Sequence, residues 1–354
     1  MNHRWRKIIF NLFTASLLCV GGSSCDNLVY DDEGDCQVHY YLQFVYDMNL
    51  KWANAFASEV TSVNLYVYDK DGKFLEEFTA SGDELKNPDY MMELTMEPGD
   101  YQLVAWCGIG NSDGKGESFT VSQPTADVST LEDMMCSLNT KSDDDYPVYS
   151  DTELKFLFQG NISVSLPDSQ DGKTYYYTMP LTKDTNHVRI ILQELSGGDI
   201  EASDFDITID GEDADMAYDN SLVGSTQVAY LPWNQESDEM ELTDSSGNIQ
   251  YNKGLVADLS TARLMAEQAN QTRLTVRNSE SAEDIIASVP IIQYALLAKS
   301  YYEQAYGHQM TDQEFLDRED EYQLTFFLYK GQWISSYIYI NSWRVVIHDY
   351  DVES

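Results

Sequence analysis

The dominant pattern in this chain is alternation of apolar and polar residues with a period of two, which a half-buried β-strand requires and an amphipathic helix does not produce. Val38, Tyr40, Leu42, Phe44 and Tyr46 fall on one face of such a strand, with His39, Gln43 and Asp47 on the other. Val63, Leu65 and Val67 repeat the pattern and run into Asp69-Lys70-Asp71-Gly72, where Asp-Gly supplies the positive φ angles of a tight hairpin before Phe74 and Phe78 resume. Pro98-Gly99 turns the chain into Tyr101, Leu103 and Ala105, and Phe156, Phe158, Ile162, Val164 and Leu166 give a further strand. Between them a short helix is expected over 131–138 and a polar loop over 141–145. A second block starts near Asn186 with Val188, Ile190 and Leu192, then Phe205, Ile207 and Ile209. Residues 290–302 are too densely apolar for a solvated strand and read as a helix. Thr311 and Glu314 have the spacing of a capping box that opens a second short helix. Two strands, 322–330 and 333–341, joined through Gly331, lead to Trp343, Val345 and Ile347. The reading is mainly β with a few short helices and, at 354 residues, two domains, 25–183 and 184–354, divided at about Lys183 within a polar segment.

The first 24 residues have the layout of an export signal: Arg4, Arg6 and Lys7, an apolar run from Ile8 to Val20, then Gly21, Gly22, Ser23 and Ser24. The run is shorter than the roughly 20 apolar residues that span a bilayer as a helix. The small residues end on Cys25, whose thiol is the expected site of lipidation, although Gly22 stands where the strict motif has leucine. The alternative is a secreted protein in which Cys25 forms a disulfide. Without the signal the chain carries 18 basic against 60 acidic residues, a net charge of −42, because only Arg4, Arg6 and Lys7 leave with it. That field excludes nucleic acid and anionic headgroups as partners. Cys36, Cys107 and Cys136 allow one disulfide and one leftover thiol in an oxidising compartment, with the pairing open.

Five ordered motifs carry a family resemblance: Leu28-Val-Tyr-Asp-Asp-Glu-Gly-Asp-Cys36, Phe44-Val-Tyr-Asp-Met-Asn-Leu-Lys51, Tyr101-Gln-Leu-Val-Ala-Trp-Cys-Gly108, Leu181-Thr-Lys-Asp-Thr-Asn-His187 and Ile340-Asn-Ser-Trp-Arg344. Together they resemble the Mfa2/FimB family of fimbrial anchor lipoproteins from Bacteroides and Porphyromonas. The resemblance implies two tandem β-sandwich domains of transthyretin-like form. It also implies an outer-membrane, surface-exposed location through the Cys25 lipid, and fimbrial shaft subunits as partners. The implied role is to hold the fibre to the cell and limit its length. In such fimbriae the shaft subunits resemble precursors that lose an N-terminal strand, and with it their lipid, to an arginine-specific protease. This chain has no arginine from Cys25 through Val188, so such a protease has nothing to cut before Arg189, although nine lysines lie in that stretch and Lys51 leaves a lysine-specific cut open.

No enzyme reading gains support from the motifs. His3, His39, His187, His308 and His348 are scattered without His-Glu-x-x-His spacing, and Gly-x-Ser-x-Gly is absent. Gly108-Ile-Gly110 lacks the following helix that phosphate binding needs. Asp210-Gly-Glu-Asp-Ala-Asp215 is acidic but does not fit the EF-hand spacing. No catalytic residue, cofactor, metal or small-molecule substrate is expected. Two other readings are a surface glycan-binding lipoprotein and a fimbrial tip or shaft subunit. For the first, Tyr175, Tyr176, Tyr177, Trp233, Trp333 and Tyr337 would form stacking platforms, although cross-strand packing is the favoured use of these rings.

Overall fold

Strand β1 (His39–Val45) buries Tyr40, Leu42 and Phe44 and leaves the residues between them half-buried, as its alternation requires. It is identified here in a computed structural model that describes residues 37–110, 114–168, 172–198, 200–243, 249–340 and 343–347. β1 is the middle strand of a three-stranded sheet, parallel to β10 (Thr174–Pro180) and antiparallel to β4 (Met92–Glu93). The sheet facing it runs in the order β11 (Thr182–Lys183), β9 (Phe158–Leu166), β5 (Gly99–Cys107), β2 (Ser62–Asp69), β3 (Phe74–Ser81), with antiparallel neighbours throughout. Leu42 and Phe44 pack with Leu65, Leu103, Phe158 and Met179 between the two sheets. The β2–β3 hairpin closes as expected from its sequence. Gly72 takes a φ of 79° and donates its N–H to Asp69, whose carboxylate accepts from the N–H groups of Asp71 and Lys73.

One feature departs from a half-buried sheet, because β2 is buried on both faces. Tyr66 and Tyr68, with Val104 and Trp106 of β5, belong to a second core under a small sheet ordered β14 (Asp215–Ala217), β7 (Met135–Leu138), β6 (Phe119–Val121). The helix expected over 131–138 is therefore corrected. Thr130 and Asp133 cap a single 3-10 turn, Leu131–Asp133, after which Cys136 and Leu138 alternate with Met135 and Ser137 and the chain pairs as β7. Local period two and two available partner strands outweigh the helical reading there.

The rest of the chain builds a second sandwich. Its six-stranded sheet is ordered β16 (Asn234–Thr243), β17 (Ile249–Ala262), β12 (Thr185–Glu194), β20 (Glu321–Tyr329), β21 (Gln332–Ile340), β22 (Trp343–Ile347). Opposite lies a five-stranded sheet ordered β19 (Asp284–Pro290), β18 (Arg273–Asn278), β13 (Phe205–Gly211), β15 (Val228–Tyr230), β8 (Tyr149–Ser150). Ile190, Ile207, Leu255, Leu274 and Phe326 share one cluster between them. Two strands cross between halves: β8 pairs with β15, and β14 pairs with β7. Helix α1 (Phe56–Glu59) lies in the first half. The apolar run 290–302 becomes two helices, α2 (Ile291–Leu296) and α3 (Lys299–Tyr306), and α4 (Asp312–Arg318) starts where expected, with the Thr311 hydroxyl accepting from Glu314 N–H at 3.0 Å.

Cys107 and Cys136 are free thiols in different cores, so they do not pair with each other, and Cys36 lies outside the described residues. Burial pushes both thiols up, which makes them poor nucleophiles.

Because β1 fills the centre of its sheet, truncating its buried ring leaves a void that neighbours on both sides cannot close. Phe44→Ala should destabilise the protein by about 3–5 kcal/mol. The measurement is a urea unfolding midpoint, expected to fall at unchanged slope; a shift worth less than about 1 kcal/mol would contradict a structural role for this strand.

Candidate functional site

The chain passes from one sandwich to the other through Leu181-Thr-Lys-Asp-Thr-Asn-His187, where β11 ends at Lys183 and β12 begins at Thr185, so the backbone stays extended across the junction. Lys183, Thr185, His187 and Arg189 project to one face, and Asp184, Asn186 and Val188 to the other. Most of these polar residues are buried, and Lys183, Asp184 and Asn186 are matched by groups from distant segments. The Lys183 side chain is 4% exposed; its Nζ lies 3.2 Å from Glu59 Oε2, is paired with Asp320, and sits 3.4 Å above the centre of the Phe156 ring. Asp184 is fully buried and accepts from Asn220 Nδ2 at 2.8 Å. Arg263 stands 3.8 Å from Asp184, grips Asp317 of α4 with two hydrogen bonds of 2.8 and 2.9 Å, and donates to the Asn220 carbonyl at 2.6 Å. Asn186 donates to the Ala262 carbonyl at 2.9 Å.

A second strap lies between the 47–52 turn and α4. Arg318 donates to the Asp47 carbonyl at 3.0 Å, its own carbonyl accepts from Leu50 N–H at 3.1 Å, and its guanidinium lies 3.6 Å over the Trp52 ring. Trp52 adopts a φ of 53°, a conformation that costs a bulky residue about 1–2 kcal/mol and that this stacking offsets. His308 meets the same ring edge-on at 4.9 Å.

Between the halves is a cavity of about 150 Å³ lined by Phe156, Lys183, Thr185, His187, Trp233 and Glu321, among others. His187 lies 3.2 Å from both Glu321 and Asp258 and near the Trp233 ring, with centroids 5.9 Å apart. Its hydrogen bond to Glu321 raises its pKa and lowers that of the carboxylate. Arg189, in the middle of β12 with strands on both sides, holds Asp258 at 2.7 and 3.3 Å. The histidines thus serve separate carboxylates: His39 pairs with Glu93 and His308 with Glu314, and His348 is outside the described residues. Among the described residues no group of His, Cys, Asp and Glu is arranged to hold a metal ion. In the acidic run 210–215, Asp213 is buried and accepts from the Tyr230 hydroxyl at 2.7 Å.

The aromatic residues singled out above divide by burial. Tyr175 stacks on Tyr40, Tyr177 donates to the Ser165 carbonyl, and Trp333 meets Phe326 edge-on, all as packing partners. Tyr176 stands on the open face of its sheet beside Tyr41, and the side chain of Tyr337 is outside those described. Cys25 also lies outside the described residues. The buried charges Lys183 and Asp184 went unrecognised in the sequence because a polar segment resembles a linker.

Two tandem β-sandwiches, joined by a buried ionic cluster and with β1 packed in the middle of its sheet, define a mainly β protein of sandwich type. The chain belongs to the family of fimbrillin-A associated anchor proteins Mfa1 and Mfa2, which matches residues 32–349. A candidate adhesin from Bacteroides thetaiotaomicron is 31% identical, with a TM-score of 0.74 over 90% of this chain and 100% of that one. The fimbrial anchor protein Mfa2 from Porphyromonas gingivalis shares the fold, with a TM-score of 0.60 over 88% of this chain and 99% of that one at 15% identity. The minor fimbrium anchoring subunit Mfa2 of Porphyromonas gingivalis is 27% identical over 112 residues, which is 32% of this chain and 35% of that relative's length.

Arg263→Leu leaves Asp184 and Asp317 without their cation and should lower stability by about 3–5 kcal/mol in urea unfolding. Asp184 adds a pH signature. Burial pushes its pKa from 3.8 to about 7, against the pull of Arg263 and Asn220. The folded state then binds more protons than the unfolded state across that window, so this group's contribution declines as pH rises through it and stays reduced above it. Asp184→Asn should therefore gain stability relative to the wild type as pH increases from below 3.8 to above 7, followed by thermal unfolding at a series of pH values. A constant difference between the two proteins would contradict the assignment.

Proposed function

We propose that this protein is the anchor subunit of a surface fimbria, tethered to the outer membrane through a lipid on Cys25, dividing into sandwiches 25–183 and 184–354, and limiting fibre length. The observation that carries this reading is the position of β1, paired on both edges and buried through Tyr40, Leu42 and Phe44. Subunits that polymerise by strand addition need a vacant groove for an incoming extended segment. Here the groove between β10 and β4 is filled by the chain's own strand. Arg189, the first arginine after Cys25, lies inside a six-stranded sheet where a protease cannot draw out an extended segment without unfolding it. The strand and the lipid therefore stay together, which an anchor requires and a shaft subunit does not permit. Lys51 is exposed in the turn after β1, and cleavage there would undo this arrangement. No helix among the described residues is long and apolar enough to cross a membrane, which leaves the lipid as the attachment in this reading.

Deleting the gene should yield long fimbriae shed into the medium, seen by electron microscopy and fractionation; unchanged, cell-attached fibres would refute the anchor role. Cys25→Ala should move the protein from the membrane to the soluble fraction with its fold intact by circular dichroism, and retention in the membrane would refute the lipid. Mass analysis of the mature protein should find Cys25 at its N-terminus, and a species starting after Lys51 would count against retention of β1.

A further inference from the structure

The junction cavity is built from groups that its ionic cluster leaves over. Every charge on its lining is matched within the protein: Lys183 by Glu59 and Asp320, His187 by Glu321 and Asp258, and Glu153 by Lys155 at 3.6 Å. An anion or a cation entering the cavity would meet no unpaired countercharge. What remains unmatched is neutral. The indole N–H of Trp233 and the hydroxyl of Thr185, a residue 97% withdrawn from solvent, make no hydrogen bond within the protein, and neither does His187 Nε2, although the Asp258 carboxylate faces that ring nitrogen at 3.2 Å. Two aromatic rings accompany them, Trp233 partly exposed and Phe156 48% exposed at the rim. Buried polar atoms of this kind are paired in native proteins, by water or by a ligand.

A cavity of about 150 Å³ is large enough for a single six-membered ring. The occupant must offer an acceptor to the indole N–H, exchange a hydrogen bond with the threonine hydroxyl, lay an apolar face on an aromatic ring, and carry no charge. A pyranose meets all four conditions, since its hydroxyls both donate and accept and its axial C–H face stacks on indole. We infer that the junction cavity is a binding site for one neutral pyranose unit of a glycan. The inference stands apart from the anchor reading, because it uses neither Cys25 nor β1. It also selects Trp233 from the aromatic residues of the sequence, most of which are used in packing.

The test is saturation-transfer NMR on the full-length protein without its lipid, using the methyl pyranosides of glucose, galactose, mannose and N-acetylglucosamine, and an oligosaccharide of whichever binds. Transfer to ring protons is expected from at least one, and from one defined unit of the oligosaccharide. Trp233→Ala should weaken binding more than tenfold, and Trp233→Phe and Thr185→Val about three- to tenfold, each removing one hydrogen-bonding group. Should Trp233→Ala fail to fold, Phe156→Ala at the exposed rim and Trp233→Phe still report. The inference is overturned if no pyranoside gives transfer, if the Trp233 variants bind as the wild type does, or if arginine amide or acetate perturbs the Trp233 resonance while the sugars do not. A crystal grown with the best pyranoside that shows water alone in the cavity would overturn it as well.

Discussion

Two adjacent residues of opposite charge, Lys183 and Asp184, are both withdrawn from water, and the meeting of the two sandwiches depends on what they find there. Because they alternate across a strand, they face opposite ways and recruit different partners. Lys183 draws Glu59 from beside β2 and Asp320 from the start of β20, whereas Asp184 draws Arg263, Asn220 and, through Arg263, Asp317. Ion pairs in such surroundings add little net stability over an apolar contact of equal volume, yet removing one member is costly. Their effect here is orientational. An apolar joint would tolerate sliding, whereas these groups must be satisfied in one register. The crossed strands β8 and β14 and the Arg318–Trp52 strap tie the same two halves at other points.

The acidity of the chain has a structural counterpart. β16, an outer strand of the six-stranded sheet, carries Glu236, Asp238, Glu239 and Glu241 within ten residues. Carboxylates along an edge discourage another strand from pairing there. The acidic excess of the chain, a net charge of −39, then acts locally at this edge by disfavouring strand addition.

Much of the fold was legible in the sequence because its strands are local objects. Val38 to Tyr46, the hairpin around Asp71-Gly72, the strands from Val188 and Phe205, and the Thr311 cap all declare themselves within ten residues. Less visible was pairing between distant segments. β1 lies parallel to β10, more than a hundred residues away, and β12 lies parallel to β20 at a similar distance, with no turn to announce either pair. The second burial of β2 was hidden for a related reason. Tyr66 and Tyr68 have polar tips and read as the solvated face of an alternating strand, and only the return of β6 and β7 over them makes that face a core.

The candidate site was the least legible part, because its residues mean different things singly and together. Lys183 in isolation is a linker lysine, Trp233 one of many rings, and Thr185 an unremarked hydroxyl. What makes a cavity of them is cancellation: each charge is consumed by the joint, and the remainder is neutral, aromatic and hydrogen-bonding. The same cancellation explains how one junction can serve two ends. The ionic groups fix the angle between the sandwiches, and the groups they leave over line the cavity between them.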